Sequence, residues 1–316
     1  MREGSPFTGV GTIALKEAAD HMTGARLHLI MLLVLLTAAG ALYGAIGTIR
    51  AGATDDTFLF LKLFTTARQP VPSFAGLLGF LLPLVAIALG FDAINAEHGR
   101  RTMSRLLAQP IYRDAILFGK FLGGLLVIAV AMVTLWLGTT GLGILFLGLP
   151  PTGAEVLRGL AYLVATIAYA GVWLALAMTL STVIRSTATS ALAALSIWLV
   201  LSVFWGMIAP VVASAISPVD PLNPMSLIDA FQTQQAVARL SPQTLYGEIT
   251  AILLDPAARS VGPLFIDQLR GALLGAPLPT IESLAIVWPQ MSGLVAAMIL
   301  LFTAAYVLFQ RQEIRA

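Results

Sequence analysis

The sequence predicts an all-α polytopic membrane protein with six transmembrane helices, and three observations predict it. Only 11% of the 316 residues are charged, against about a quarter in an ordinary soluble domain. Mean hydropathy is +0.89. The apolar residues are gathered into runs of about 20 or more, the length that crosses a bilayer core as a helix. Inside lipid each backbone N–H and C=O must be satisfied within the segment, so such runs are helical.

The elements follow in order. Residues 1–26 form an N-terminus in which Gly9–Arg26 makes a short helix, with Val10, Ile13, Ala14, Ala18 and Met22 on one weakly apolar side; it reads as an elbow helix for the membrane face, with a simple solvated terminus as the alternative. Transmembrane helices 1–5 occupy 27–209, as Leu27–Ile49, Phe74–Ile94, Ile116–Leu147, Leu157–Leu180 and Ala188–Ala209. Pro83 falls inside the second and Pro289 inside the sixth, where each removes one helical hydrogen bond. Residues 210–283 are rich in Ser-Pro, Asp-Pro and Asn-Pro pairs, which place a capping side chain before a proline at the first helical position. Short helices are expected at Met225–Arg239, Pro242–Leu254 and Pro263–Leu274, as an extracytoplasmic helical segment against which the loop Arg50–Ser73 packs. The sixth helix takes 284–309 and a tail 310–316 follows.

Basic residues orient the chain. Arg2, Lys16, Arg26, Arg100, Arg101, Arg105, Arg113, Lys120, Arg185, Arg311 and Arg315 fall on one side. Arg50, Lys62, Arg68, Arg158, Arg239, Arg259 and Arg270 are assigned to the other, over a greater length. The denser set is cytoplasmic by the positive-inside rule, so both termini are cytoplasmic. Of the charges, only Asp92 and Lys120 approach the spans in this reading, both near cytoplasmic ends.

Enzyme chemistry finds little support. There is no cysteine, and His21, His28 and His98 are the only histidines, with no H-E-x-x-H. No G-x-x-x-x-G-K-[ST] loop occurs; Gly119-Lys120 is followed by Phe inside an apolar run. Two small-residue pairs, Gly40/Gly44 and Gly119/Gly123, allow close helix approach.

The cytoplasmic stretch 97–110 carries the most information. Met103, Leu106 and Leu107 recur at helical spacing beside Arg100, Arg101 and Arg105; Pro110 ends that helix and Asp114 can cap the next. The alternatives are a plain basic loop and a docking helix for a cytoplasmic partner. The pattern Glu97…Arg101-Thr102…Leu106-Leu107-Ala108-Gln109-Pro110-Ile111…Arg113…Leu117-Phe118-Gly119-Lys120…Gly123 resembles the signature of ABC-2-type (type V) ABC transporter permeases. The lead-in Phe91-Asp-Ala-Ile-Asn95 resembles permeases of nitrous-oxide-reductase maturation systems.

The resemblance implies a coupling helix at 97–110 that sits in a cleft of a separate ABC ATPase subunit, with Glu97, Arg100, Arg101, Thr102, Met103, Leu106 and Leu107 as the coupling residues. It implies a homodimer bound to two ATPase copies, which hold ATP and Mg while this chain holds no cofactor and is not catalytic. The dimer would join spans one and five, through Gly40 and Gly44 and with Trp198, Phe204 and Trp205 along the seam or pathway; lipid-facing aromatics are the alternative. The implied location is the cytoplasmic membrane of a bacterium or archaeon, and the implied role is export. A mechanotransducing scaffold acting on a periplasmic partner, including metalloenzyme maturation, and an ion-coupled secondary carrier are the alternatives.

Overall fold

A computed structural model of the chain describes residues 9–52, 58–99, 112–148, 150–220, 222–223, 225–258 and 277–311. The order is α1 (Val10–Thr23), α2 (Ala25–Gly52), α3 (Leu59–Thr65), α4 (Phe74–Gly90), α5 (Asn95–Gly99), α6 (Arg113–Leu147), α7 (Gly153–Val183), α8 (Thr187–Leu199), a π turn at Val200–Phe204, α9 (Trp205–Ile216), α10 (Met225–Ala238), α11 (Pro242–Leu254) and α12 (Thr280–Arg311). Among the described residues six helical stretches are long and apolar enough to cross a membrane: Ile30–Ile49, Phe74–Glu97, Arg113–Leu147, Gly153–Val183, Thr187–Ile216 and Thr280–Arg311.

The fourth span, α7, is the axis of the bundle, with 67% of its most apolar window buried, against 33% for the first span and 11% for the fifth. Its buried face is rich in small residues, including Ala165, Ala168, Ala170, Gly171, Ala175 and Ala177. In lipid, helices associate through close packing and not through water exclusion, so small side chains set the approach. A Cβ at Gly171 would lie 2.5 Å from Met298 Sδ on α12, and one at Gly90 on α4 would lie 2.9 Å from Ala177 Cβ. Trp173 and Tyr169 fill the space these contacts leave.

The fifth span departs from expectation at Pro210, which lies inside helix α9 and does not end it. The π turn just upstream already opens the backbone ladder, and the carbonyl of Leu201 within it accepts the hydroxyl of Ser241 at 2.7 Å. That bond marks how deeply the next segment reaches. α10 runs back along α9, where Trp205 Nε1 donates to the Val237 carbonyl at 3.1 Å. The chain then turns at Ser241, whose side chain caps α11 with Pro242 in its first turn, as the Ser-Pro pair predicts.

α11 is buried through Tyr246, Ile249, Ile252, Leu253 and Leu254. Tyr246 stacks on Tyr169 at 4.4 Å and donates to Tyr162 Oη at 2.6 Å, with Thr166 Oγ1 3.1 Å away. Tyr169 in turn donates to the Gly79 carbonyl of α4 at 2.9 Å. Glu248 accepts from Arg239 Nε at 2.9 Å and from Gln290 Nε2 of α12 at 2.8 Å. The segment expected as a cap therefore contains a helical hairpin whose second helix packs against spans two, four, five and six. α3 packs against it, as the sequence predicts for the loop Arg50–Ser73. The expected helix Pro263–Leu274 lies outside the described residues.

Arg158 corrects the charge assignment made from sequence. It stands in α7, wholly buried, and not in a loop. Its guanidinium donates to the carbonyls of Ile252 and Leu253 at 3.2 Å each and of Leu278 at 2.5 Å. Ile252 and Leu253 belong to the last turn of α11, whose carbonyls have no partner within the helix. Three residues earlier Glu155 closes a capping box with Thr152 and also accepts the Phe60 amide of α3 at 2.8 Å. Both charges lie within a spanning helix, so Asp92 and Lys120 are not alone there.

Candidate coupling site

Helix α4 ends at Gly90, and the chain turns through Phe91–Ile94 into α5. That turn is fixed to the end of α7. Ser181 Oγ accepts the amides of Ile94 at 3.0 Å and Asn95 at 3.2 Å. Asn95, itself buried, sends its Nδ2 to the carbonyls of Ile184 at 3.1 Å and Phe91 at 3.3 Å. Two short polar side chains thus tie the chain, just before residue 97, to the fourth span.

A second anchor comes from α1. Gly119 of α6 receives the Ile13 side chain of α1, and Gly123 receives the α1 backbone at Ala14 and Ala18, so the two glycines let the helices meet closely. A Cβ at Gly119 would lie 2.5 Å from Ile13 Cγ2, and one at Gly123 2.8 Å from the Ala14 carbonyl oxygen. This approach brings Glu17, on the same side of α1, to Lys120. Lys120 Nζ lies 3.1 Å from Glu17 Oε1 and 3.4 Å from Glu97 Oε1, with only 7% of its side chain exposed. One ammonium joins the N-terminal helix, the third span and the start of the 97–110 stretch. On the open side of α1 the 2.8 Å Lys16–Asp20 hydrogen bond holds the lysine above and the aspartate below their ordinary pKa values.

The close approach supplies a test. Gly123→Leu is expected to lift α1 from α6, because the Ala14 backbone cannot yield to a side chain, at a cost of about 1–3 kcal/mol. Protease cleavage within Val10–Thr23 should rise in membranes carrying the variant; cleavage at the unaltered rate would show that α1 is not seated there.

Of the residues singled out in sequence, Glu97 is in this cluster, whereas Arg100, Arg101, Thr102, Met103, Leu106 and Leu107 lie outside the described residues. Gly40 is exposed on α2 with open space beyond it, while a Cβ at Gly44 would lie 3.3 Å from Arg68 Cβ. Trp198 is buried edge-to-face against Phe80 at 5.0 Å, Trp205 bonds to α10, and Phe204 is exposed. Asp114 does not cap α6; the N-cap is Tyr112, and Asp114 instead accepts from Gln310 near the end of α12.

The sequence reading missed Glu17, Ser181, Glu155 and Arg158 as structural charges and anchors. A lysine in an apolar run calls for a carboxylate, and Glu17 shares a helical side with Ala14 and Ala18, a signal available in the sequence. Thr152-x-x-Glu155 is likewise a legible capping box. Among the described residues no group of three His, Asp or Glu is placed to hold a metal ion.

Comparison with known proteins agrees with this architecture. A probable ABC transporter permease protein NosY from Stutzerimonas stutzeri is 28% identical over 309 residues, covering 96% of this chain and 98% of the relative. A protein of the same description from Pseudomonas aeruginosa is 35% identical over 192 residues, 60% of this chain and 65% of the relative. The latter alignment therefore spans a little under two thirds of that relative's length. The family described as ABC-2 family transporter protein matches residues 11–314. With six apolar spans beneath that match, the chain belongs to the ABC-2 transporter family and is a multi-pass permease subunit of an ABC system in the bacterial inner membrane.

Proposed function

We propose that this chain forms the membrane pathway of an ATP-driven exporter, as a homodimer served by two copies of a separate ATPase that binds ATP and Mg. Residues 97–110 are the coupling helix, with both termini on the same cytoplasmic side. Met103, Leu106 and Leu107 enter the ATPase cleft, and Glu97, Arg100, Arg101 and Thr102 fix the register. The observation that carries this reading is the double anchoring of residue 97. A push on the docking helix meets no slack, because Asn95–Ser181 and Glu97–Lys120–Glu17 pass it to spans three and four and to α1. Spans five, six and one are the least buried in the single chain, which leaves one and five free for a dimer seam, with Gly40 and Phe204 among its surface residues and Gly44, Trp198 and Trp205 behind it.

A second reading has its own observation. The α10–α11 hairpin is latched to the bundle by Arg158 and three tyrosines, so ATPase motion would be delivered to whatever touches the opposite side, including a periplasmic metalloenzyme under maturation. Transport of a solute into vesicles separates the two.

The test is co-purification. The tagged chain, extracted from its native membrane in mild detergent, should bring a stoichiometric ATPase subunit. Leu106→Asp with Leu107→Asp should reduce that recovery at least tenfold while the chain remains in the membrane at its normal level. Undiminished recovery would remove 97–110 as the docking helix.

A further inference from the structure

We propose that the groove between α2 and α6 holds a resident anionic phospholipid, with Arg68 on its phosphate. The groove has a volume of about 490 Å³, walled by Ala39, Leu42, Tyr43, Ile46 and Gly47 of α2 and by Leu142 and Phe146 of α6, with Arg68 at one end. The walls are almost wholly apolar, and one cation stands over them. From Ala39 to Gly47 the helix rises about 12 Å, room for the upper part of an acyl chain.

Three features fit Arg68 to a headgroup. It lies in the connection between the first and second spans, beside the last two turns of the first span, which is near headgroup level for a spanning helix. The backbone holds it there: its amide donates to the Val71 carbonyl at 3.2 Å and its own carbonyl accepts from Val71 at 2.7 Å. The side chain lies across Gly44 and Gly47 of α2, with Nη1 3.5 Å from a Cβ built on Gly47. Arg68 is exposed, and no carboxylate of the described residues lies within 4 Å of its guanidinium. A planar donor fork at the mouth of an apolar trough is complementary to a phosphate oxygen pair above an acyl chain.

Native mass spectrometry of the chain, extracted and re-equilibrated with phosphatidylglycerol or phosphatidylcholine vesicles, tests this. About one phosphatidylglycerol per chain should persist, favoured over phosphatidylcholine, and Arg68→Gln should cut its retention at least fivefold. Leu142→Trp, which fills the trough and leaves the cation, should do the same. Arg68 is exposed, so its variant should keep the wild-type Tm. Equal retention in both variants overturns the proposal. So does a photo-crosslinker at Leu142 that joins a second copy of the chain in place of lipid.

Discussion

Arg158→Ala is expected to lower the apparent Tm of the detergent-solubilised chain by roughly 5–10 °C, the largest stability loss of any single substitution considered. The guanidinium supplies the hydrogen bonds to the carbonyls of Ile252, Leu253 and Leu278, all in a buried setting. Each carbonyl left without a donor costs about 1–3 kcal/mol, and a loss of about 3 kcal/mol or more gives a shift of that size in a chain of this length. A cation at the C-terminus of α11 also faces the negative end of the helix, a further contribution lost with it. Arg158→Lys should fall between, since a single ammonium cannot reach two groups of carbonyls as a fork does. Limited proteolysis should locate the damage in the hairpin and not in spans one to three. A wild-type Tm for Arg158→Ala would show that the latch contributes nothing.

Lys120→Met is expected to uncouple the subunit. The ATPase should still co-purify, because the docking side chains are untouched, while ATP-driven transport falls about tenfold. Removing the ammonium leaves Glu17 and Glu97 facing each other across the gap it filled. The two carboxylates retain partial access to water, so the stability loss is limited to about 1–2 kcal/mol, less than for a fully buried pair. The effect is read in the ratio of transport to ATP hydrolysis, which a mere loss of folded protein would not change. Adding Glu97→Gln should recover stability but not the ratio. An unaltered ratio in Lys120→Met would remove the triad from force transmission.

Much of the fold was legible because spans are long and the solvent demands them. Leu157–Leu180 and the start of α11 at Pro242 follow from run length and from Ser-Pro capping alone. What the sequence concealed was depth. Counting basic residues by loop sorts them by position along the chain, and it filed Arg158 outside although its own span contains it. The hairpin was legible as helices, but nothing in Met225–Leu254 states that Tyr246 reaches Tyr162. Gly119 and Gly123 announced a close contact without naming the partner, since small residues fit many surfaces equally. The partner was α1, whose Ile13 side chain fills the gap at Gly119 and whose backbone at Ala14 lies against Gly123.

The ion pair between Glu17 and Lys120 also imposes an order on synthesis. The two residues are 103 positions apart. At about 5–20 residues per second, α1 leaves the ribosome some 5–20 s before its partner exists. During that interval the first two spans are made while α1 has no seat, and both carboxylates that pair with Lys120 already exist when the third span enters the bilayer. Docking of α1 thus waits for the third span, and a bulky fusion at the N-terminus should delay assembly of the finished subunit while leaving membrane insertion of its first two spans unaffected.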